Sequence, residues 1–181
     1  AEMALEVLTA ADGRAKTALG RKHAATWLAA RAAGQPLAIG AAAPPLRPAR
    51  PALPELLSPR DMPRRRPGSP TGRIALLHAV AHIELNAVDL HWDIIARFTD
   101  VPMPLGFYDD WVSAADDAAK HFNLICDCLE TMGSHYGALP AHAHVILVSD
   151  FLAPSEELKA AINRFAGTDC RSHLIQQDWR S

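Results

Sequence analysis

Two side chains carry the chemistry that this sequence offers most plainly, Glu84 and His121. At 3.6 residues per turn Glu84 shares a helix face with Leu77, Ala81, Val88, His91 and Ile95, so a carboxylate stands in the middle of an apolar, core-facing stripe. Burying a carboxylate alone is costly, and the usual remedies are protonation, a cationic partner or a metal ion. On the next helical segment Asp117, His121 and Ile125 share a face, which offers an imidazole nitrogen to that carboxylate. A Glu and a His on facing helices are half of the arrangement in which helix bundles hold two iron or manganese ions. His91, two turns beyond Glu84 on the same side, is an auxiliary ligand candidate. The plain alternative is a hydrogen-bonded Glu84–His121 pair with no metal.

These residues need two helices to bring them together. The apolar periodicity predicts helices over Ile74–Phe98 and Phe107–Met132, and the short, proline-bearing loop Thr99–Gly106 predicts an antiparallel hairpin. Ser69 is a suitable N-cap with Pro70 at the first helical position, Asp109 or Asp110 is expected to cap the second helix, and Gly133 to stop it. Glu84 lies 14 residues before Phe98 and His121 lies 14 after Phe107, so the hairpin sets them at the same height. His78 and His82, four residues apart, share a different face of the first helix; they are expected to bond neighbouring elements rather than to join Glu84.

Three strings carry a resemblance: His78–Leu90 (HAVAHIELNAVDL), Phe107–Trp111 (FYDDW) and Gly133–His142 (GSHYGALPAH), with Ser58–Ser69 upstream of them. Together they resemble a bacterial ferritin-like family of unknown function, domain of unknown function 455, over about residues 1–142. The resemblance implies a four-helix ferritin-like bundle. Its metal ligands would be a Glu from the first bundle helix and a Glu-x-x-His pair from the second, repeated in the other half. Two departures stand out. Where the family has Glu three residues before the His, this sequence reads Asp117-Ala118-Ala119-Lys120-His121, leaving Asp117 as a shorter substitute one position away. After His142 the second pair of helices does not follow.

Residues 143–181 change pattern. An apolar run from His144 to Asp150, a helical stretch from Pro154 to Phe165 and a second short strand near Ser172–Gln176 read as a β-α-β fragment. The string Val148–Pro154 (VSDFLAP) followed by Glu156-Glu157-Leu158 resembles the late part of a von Willebrand A-like domain. The Asp-x-Ser-x-Ser strand that supplies most metal ligands in such domains is missing, so no magnesium is expected at Asp150.

The expected fold is mainly α, a ferritin-like helical hairpin equal to half of a four-helix bundle, with a small C-terminal β-α-β fragment. Its divisions are N-terminal helices over 1–35, an extended Pro/Arg-rich arm over 36–70, the hairpin over 71–142 and the fragment over 143–181. The N-terminal part is expected as one short helix and one from Gly13 to Ala33, whose face of Leu19, Ala24, Trp27 and Leu28 pads the bundle. The arm holds ten of the fourteen prolines, which remove backbone donors and fix φ. Its run Arg64-Arg65-Arg66 has no interleaved aromatics, and with a formal net charge of −2 no nucleic-acid partner is expected. No apolar run approaches the roughly 20 residues of a bilayer span, so a cytoplasmic protein without membrane contact is expected. Three cysteines, Cys126, Cys128 and Cys170, read as small apolar fillers. Two functional readings follow. One is a relative of non-haem di-iron oxidoreductases, binding iron or manganese weakly or not at all as a monomer and completed by a homodimer through the hairpin face. The other is a non-catalytic helical scaffold or truncated gene product.

Overall fold

The computed structural model describes residues 1–63, 66 and 68–143. The expected β-α-β fragment beyond residue 143 and the arginines at 64 and 65 lie outside the described residues. Within them the chain is mainly helical: α1 (Glu2–Thr9), α2 (Gly13–Ala32), α3 (Pro70–Arg97) and α4 (Leu105–Thr131), with two short strands, β1 (Leu56–Leu57) and β2 (Ala141–His142). None of these helices is long and apolar enough to cross a membrane.

The starts and stops follow local chemistry. Asp12 caps α2 by accepting from the Ala15 amide at 2.7 Å, and Ser69 caps α3 by accepting from the Gly72 amide at 3.0 Å with Pro70 at the first position. Gly133 ends α4 with φ +73°, the left-handed conformation that a residue with a Cβ adopts at a cost. One expected cap is corrected: α4 starts at Leu105 after Pro104 with no side-chain cap. Asp109 instead turns toward α2, accepting from Trp27 Nε1 at 2.8 Å and pairing with the Arg31 guanidinium at 2.9 Å. Asp109 is already one turn inside α4, where a neighbouring guanidinium outcompetes the helix's own amides. The same Arg31 holds the Asp109 carboxyl below the usual carboxylate range.

α3 and α4 pack side by side. Glu84 faces His121 and His91 bonds the backbone of Ala114, so rising numbers on α3 meet falling numbers on α4 and the pair is antiparallel. Two apolar clusters fill the interior. One gathers Val7, Leu8, Trp27, Trp92, Tyr108 and Val112; the other gathers Leu77, Leu85, Phe122, Ile125 and Leu129.

The packing face of α2 differs from the expected one. Gly13, Lys16, Thr17, Gly20, His23, Ala24 and Trp27 are buried, whereas Leu28 is 37% exposed. Small residues win the inward side because α3 and α4 both approach so closely. A Cβ at Gly20 would stand 3.0 Å from Trp92 Nε1, and one at Gly13 would stand 3.0 Å from Phe122 Cζ. Lys16, between those glycines, is therefore enclosed at 1% exposure.

The arm is extended, as its prolines dictate, and it is tied down at named points. The N-terminal ammonium donates to the Ile39 carbonyl at 2.8 Å, the Ala49 amide donates to the Leu8 carbonyl at 2.8 Å, and Lys16 Nζ donates to the Ala49 carbonyl at 2.7 Å. The arm then pairs its own β1 with β2 in parallel, Leu56 opposite Ala141 and Leu57 opposite His142.

Candidate functional site

The helical hairpin brings Glu84 and His121 together. His121 Nδ1 lies 3.6 Å from Glu84 Oε2, with the side chains 21% and 14% exposed. That separation exceeds a hydrogen bond, so the hydrogen-bonded pair of the plain alternative is not formed, and the two side chains meet only at ion-pair distance. The pair is also less enclosed than an inward stripe implies. Glu84 stands at the border between the α4-facing side of α3 and a side on which Ile83 and Leu90 are each 38% exposed.

The other two candidates sit apart from this pair. Asp117, one turn before His121, has a side chain 59% exposed and bonds Lys120 at 3.1 Å. His91 is two turns along α3 from Glu84, about 10 Å by helix rise, and is buried against Trp111 and the Ala114 backbone. Among the described residues no three His, Cys, Asp or Glu side chains converge as a metal site.

Burial pushes His91 down to about 4. This gives a pH prediction whose sign is set by linkage. Below its ordinary value of 6.5 the unfolded imidazole takes up a proton that the folded one refuses, so stability falls as the pH is lowered from 6.5 toward 4. At pH 5 the loss is about 2 kcal/mol relative to pH 7. His82 is shifted the same way by burial and adds to it. Urea unfolding at pH 7 and pH 5 measures the difference, and His91→Gln flattens the profile.

His78 and His82 grip the segment after α4. Tyr136 stacks on both rings, the Gly137 amide donates to His78 Nε2 at 2.9 Å, and His82 Nε2 donates to the His142 carbonyl at 3.2 Å. His82 Nδ1 is then left to accept from the Tyr136 hydroxyl at 2.8 Å. Both histidines thus bond a neighbouring element. Cys126 and Cys128 are buried and form no disulfide, and burial lifts the Cys126 thiol to about 12, an unreactive filler as expected.

A second polar cluster escaped the sequence reading. Lys16 bonds Asp89 on α3, itself 3% exposed, and Arg50 of the arm lies 3.8 Å from the other Asp89 oxygen. Burial lowers Lys16 and raises Asp89 against their mutual attraction. The cluster borders a cavity of about 190 Å³ under the arm that also touches His82, Asn86 and Tyr136. The available signal was the spacing Lys16, Gly20, Ala24, Trp27, a lysine on a face of small and aromatic residues.

The family profile for proteins of unknown function DUF455 matches residues 9–159. The chain belongs to the DUF455 family. An uncharacterised protein from Haemophilus influenzae is 39% identical over 98 residues, which cover 51% of this chain and 34% of the relative. The chain thus spans about a third of the length of the curated relative it matches. No solved structure matches it at a significant level. The DUF455 match starts at residue 9 and runs past His142, where the string resemblance ends, to residue 159.

Proposed function

We propose that this DUF455 protein is a ferritin-like member related to non-haem di-iron oxidoreductases, with Glu84 and His121 as one half of a site for iron or manganese. The observation that supports this reading is the carboxylate–imidazole contact itself: two donors from separate helices, 3.6 Å apart, not hydrogen-bonded to each other and partly open to solvent. Two ligands each about 2.1 Å from one ion are separated by at most about 4.2 Å, so the spacing fits a shared ion. A carboxylate oxygen with an imidazole nitrogen is a donor set that suits iron and manganese. Such ions, when bound in bundles, supply redox chemistry with oxygen. What these residues do themselves is offer one carboxylate oxygen and one imidazole nitrogen at the edge of an apolar face. Two ligands do not hold two ions, so the single chain binds weakly and has little or no activity of its own.

Anaerobic reconstitution with iron(II) or manganese(II), followed by metal analysis of the desalted protein, tests the proposal. Metal above trace level in the natural chain, lost in Glu84→Gln, is the expected result. Metal at trace level in both contradicts it.

A second reading has its own support. α3 carries exposed Leu76, Ile83 and Leu90, and no third ligand joins Glu84 and His121 among the described residues. A non-catalytic scaffold that uses this apolar face for assembly would show both features. It predicts that Glu84→Gln leaves stability and assembly unchanged and that no metal is retained.

A further inference from the structure

The cavity of about 190 Å³ under the arm lies across α3 from the metal candidates. At about 100° per residue, His82, Asn86 and Asp89 stand about 140–160° round the helix from Glu84, and neither Glu84 nor His121 lines the cavity. Its lining is of two kinds. Leu85 of α3 and Pro51, Pro54 and Leu56 of the arm are apolar, whereas Lys16, Arg50, Asn86 and Asp89 bring polar groups.

The charges in this lining do not cancel. Lys16 and Asp89 neutralise each other in the interior, with side chains 1% and 5% exposed, and Arg50 adds a second cation. Arg50 stands 3.8 Å from Asp89, beyond hydrogen-bond range, and makes no hydrogen bond among the described residues. Its five N–H donors are therefore uncommitted. Its charge still reaches inward, for it lowers the proton affinity of Lys16, His82, Asp89 and Tyr136 alike. Two further donors are left over. Lys16 gives N–H groups to Asp89 and to the Ala49 carbonyl and keeps a third, and the Asn86 amide gives one to the His82 carbonyl and keeps its second. Glu55, the other carboxylate of the lining, is exposed, where water and salt screen it.

We infer that this cavity binds a small monocarboxylate, held at its charged end by the Arg50 guanidinium and at its short apolar tail by Leu85 and the arm. The planar fork of an arginine matches a carboxylate, which takes two parallel N–H bonds from it. The charge fits as well. Lys16, Arg50 and Asp89 leave one positive charge, which one carboxylate neutralises, whereas a phosphate dianion would set a surplus negative charge beside Asp89. Size sets the tail length. A cavity of about 150 Å³ accommodates benzene, so about 190 Å³ takes a molecule of about six non-hydrogen atoms. Entry is by way of Arg50, whose side chain is 40% exposed while Lys16 is shut in behind it.

Titration of sodium butanoate into the isotope-labelled full chain, followed by amide chemical shifts against sodium chloride at equal ionic strength, tests the inference. Saturable shifts in the arm near Arg50 and in α3 near Asn86, half-complete in the low millimolar range, are the expected result. Butan-1-ol, of similar size and without charge, is expected to bind at least about tenfold more weakly, because it offers Arg50 no anion. Arg50→Gln weakens butanoate by at least about tenfold with unchanged helical circular dichroism, and Arg50→Lys, which keeps the charge and loses the fork, recovers part of it. Should Arg50→Gln fail to fold, Asn86→Asp serves, since a second carboxylate in the lining weakens butanoate in the same direction. Shifts that climb no faster with butanoate than with chloride overturn the inference. So does butan-1-ol that binds as well as butanoate, or inorganic phosphate that binds more tightly. An Arg50→Gln chain that loses stability yet binds butanoate like the natural chain assigns Arg50 to Asp89 alone and overturns it too. None of these results depends on Glu84 or His121, so the metal reading stands or falls separately.

Discussion

Asp89→Ala is expected to lower the unfolding free energy by about 3–5 kcal/mol, because it strips the partner from an enclosed lysine. Lys16 is 1% exposed and has two acceptors, Asp89 and the Ala49 carbonyl; without the carboxylate the ammonium keeps only the weaker one. The escape is loss of the proton, toward which burial already pushes Lys16. The sign follows. A base whose folded value lies below its unfolded one gains stability as the pH rises between them, so the Asp89→Ala variant recovers part of its loss on the alkaline side of neutral. Removing both partners has a different outcome. Lys16→Met with Asp89→Leu replaces a buried charged pair by apolar groups and is expected near the natural chain or above it. Urea unfolding of the two single variants and the double variant gives the coupling directly. An Asp89→Ala loss below about 1 kcal/mol would place the pair among exposed salt bridges and contradict its enclosure.

The second large effect is expected at Phe122. Its ring is 1% exposed, touches the start of α2 where Gly13 makes room, and meets Tyr136 edge-to-face at 5.1 Å between centroids. Phe122→Ala is expected to cost about 3–5 kcal/mol, the range for emptying an aromatic site in a close-packed core. The consequence reaches further than the cavity. Tyr136 holds His82 and stacks on His78, so loss of the Phe122 ring removes one wall of the pocket that seats the segment after α4. Chemical denaturation gives the free energy, and amide exchange at Gly137, whose N–H donates to His78, reports the loosening. Unchanged protection at Gly137 would show that the histidines alone seat the segment.

Much of the helical frame was legible in the sequence, for reasons that are local. Ser69 before Pro70 and Gly133 after an apolar run are short-range signals, and they fix the ends of α3 and α4 whatever surrounds them. The meeting of Glu84 with His121 was legible too, since equal distances from a short loop set equal heights in any antiparallel hairpin. What was not legible depends on close approach between distant elements. A lysine between two glycines on α2 reads as a solvated residue until Trp92 and Phe122 are known to fill the space that those glycines leave. Asp109 reads as a cap until Arg31, 78 residues away, is known to reach it. The openness of the Glu84 side was missed for a related reason. Periodicity marks a face as apolar and cannot say which neighbour covers it.

The central claim is that Glu84 and His121 are metal donors and not only neighbours, and calorimetric titration of manganese(II) into the natural chain, Glu84→Gln and His121→Asn tests it most directly. Each variant is expected to weaken binding by at least about tenfold, the scale of losing even a supporting group in a metal site, while its unfolding free energy moves by less than about 1 kcal/mol. Equal heats from all three proteins, or none from the natural chain, would contradict the account.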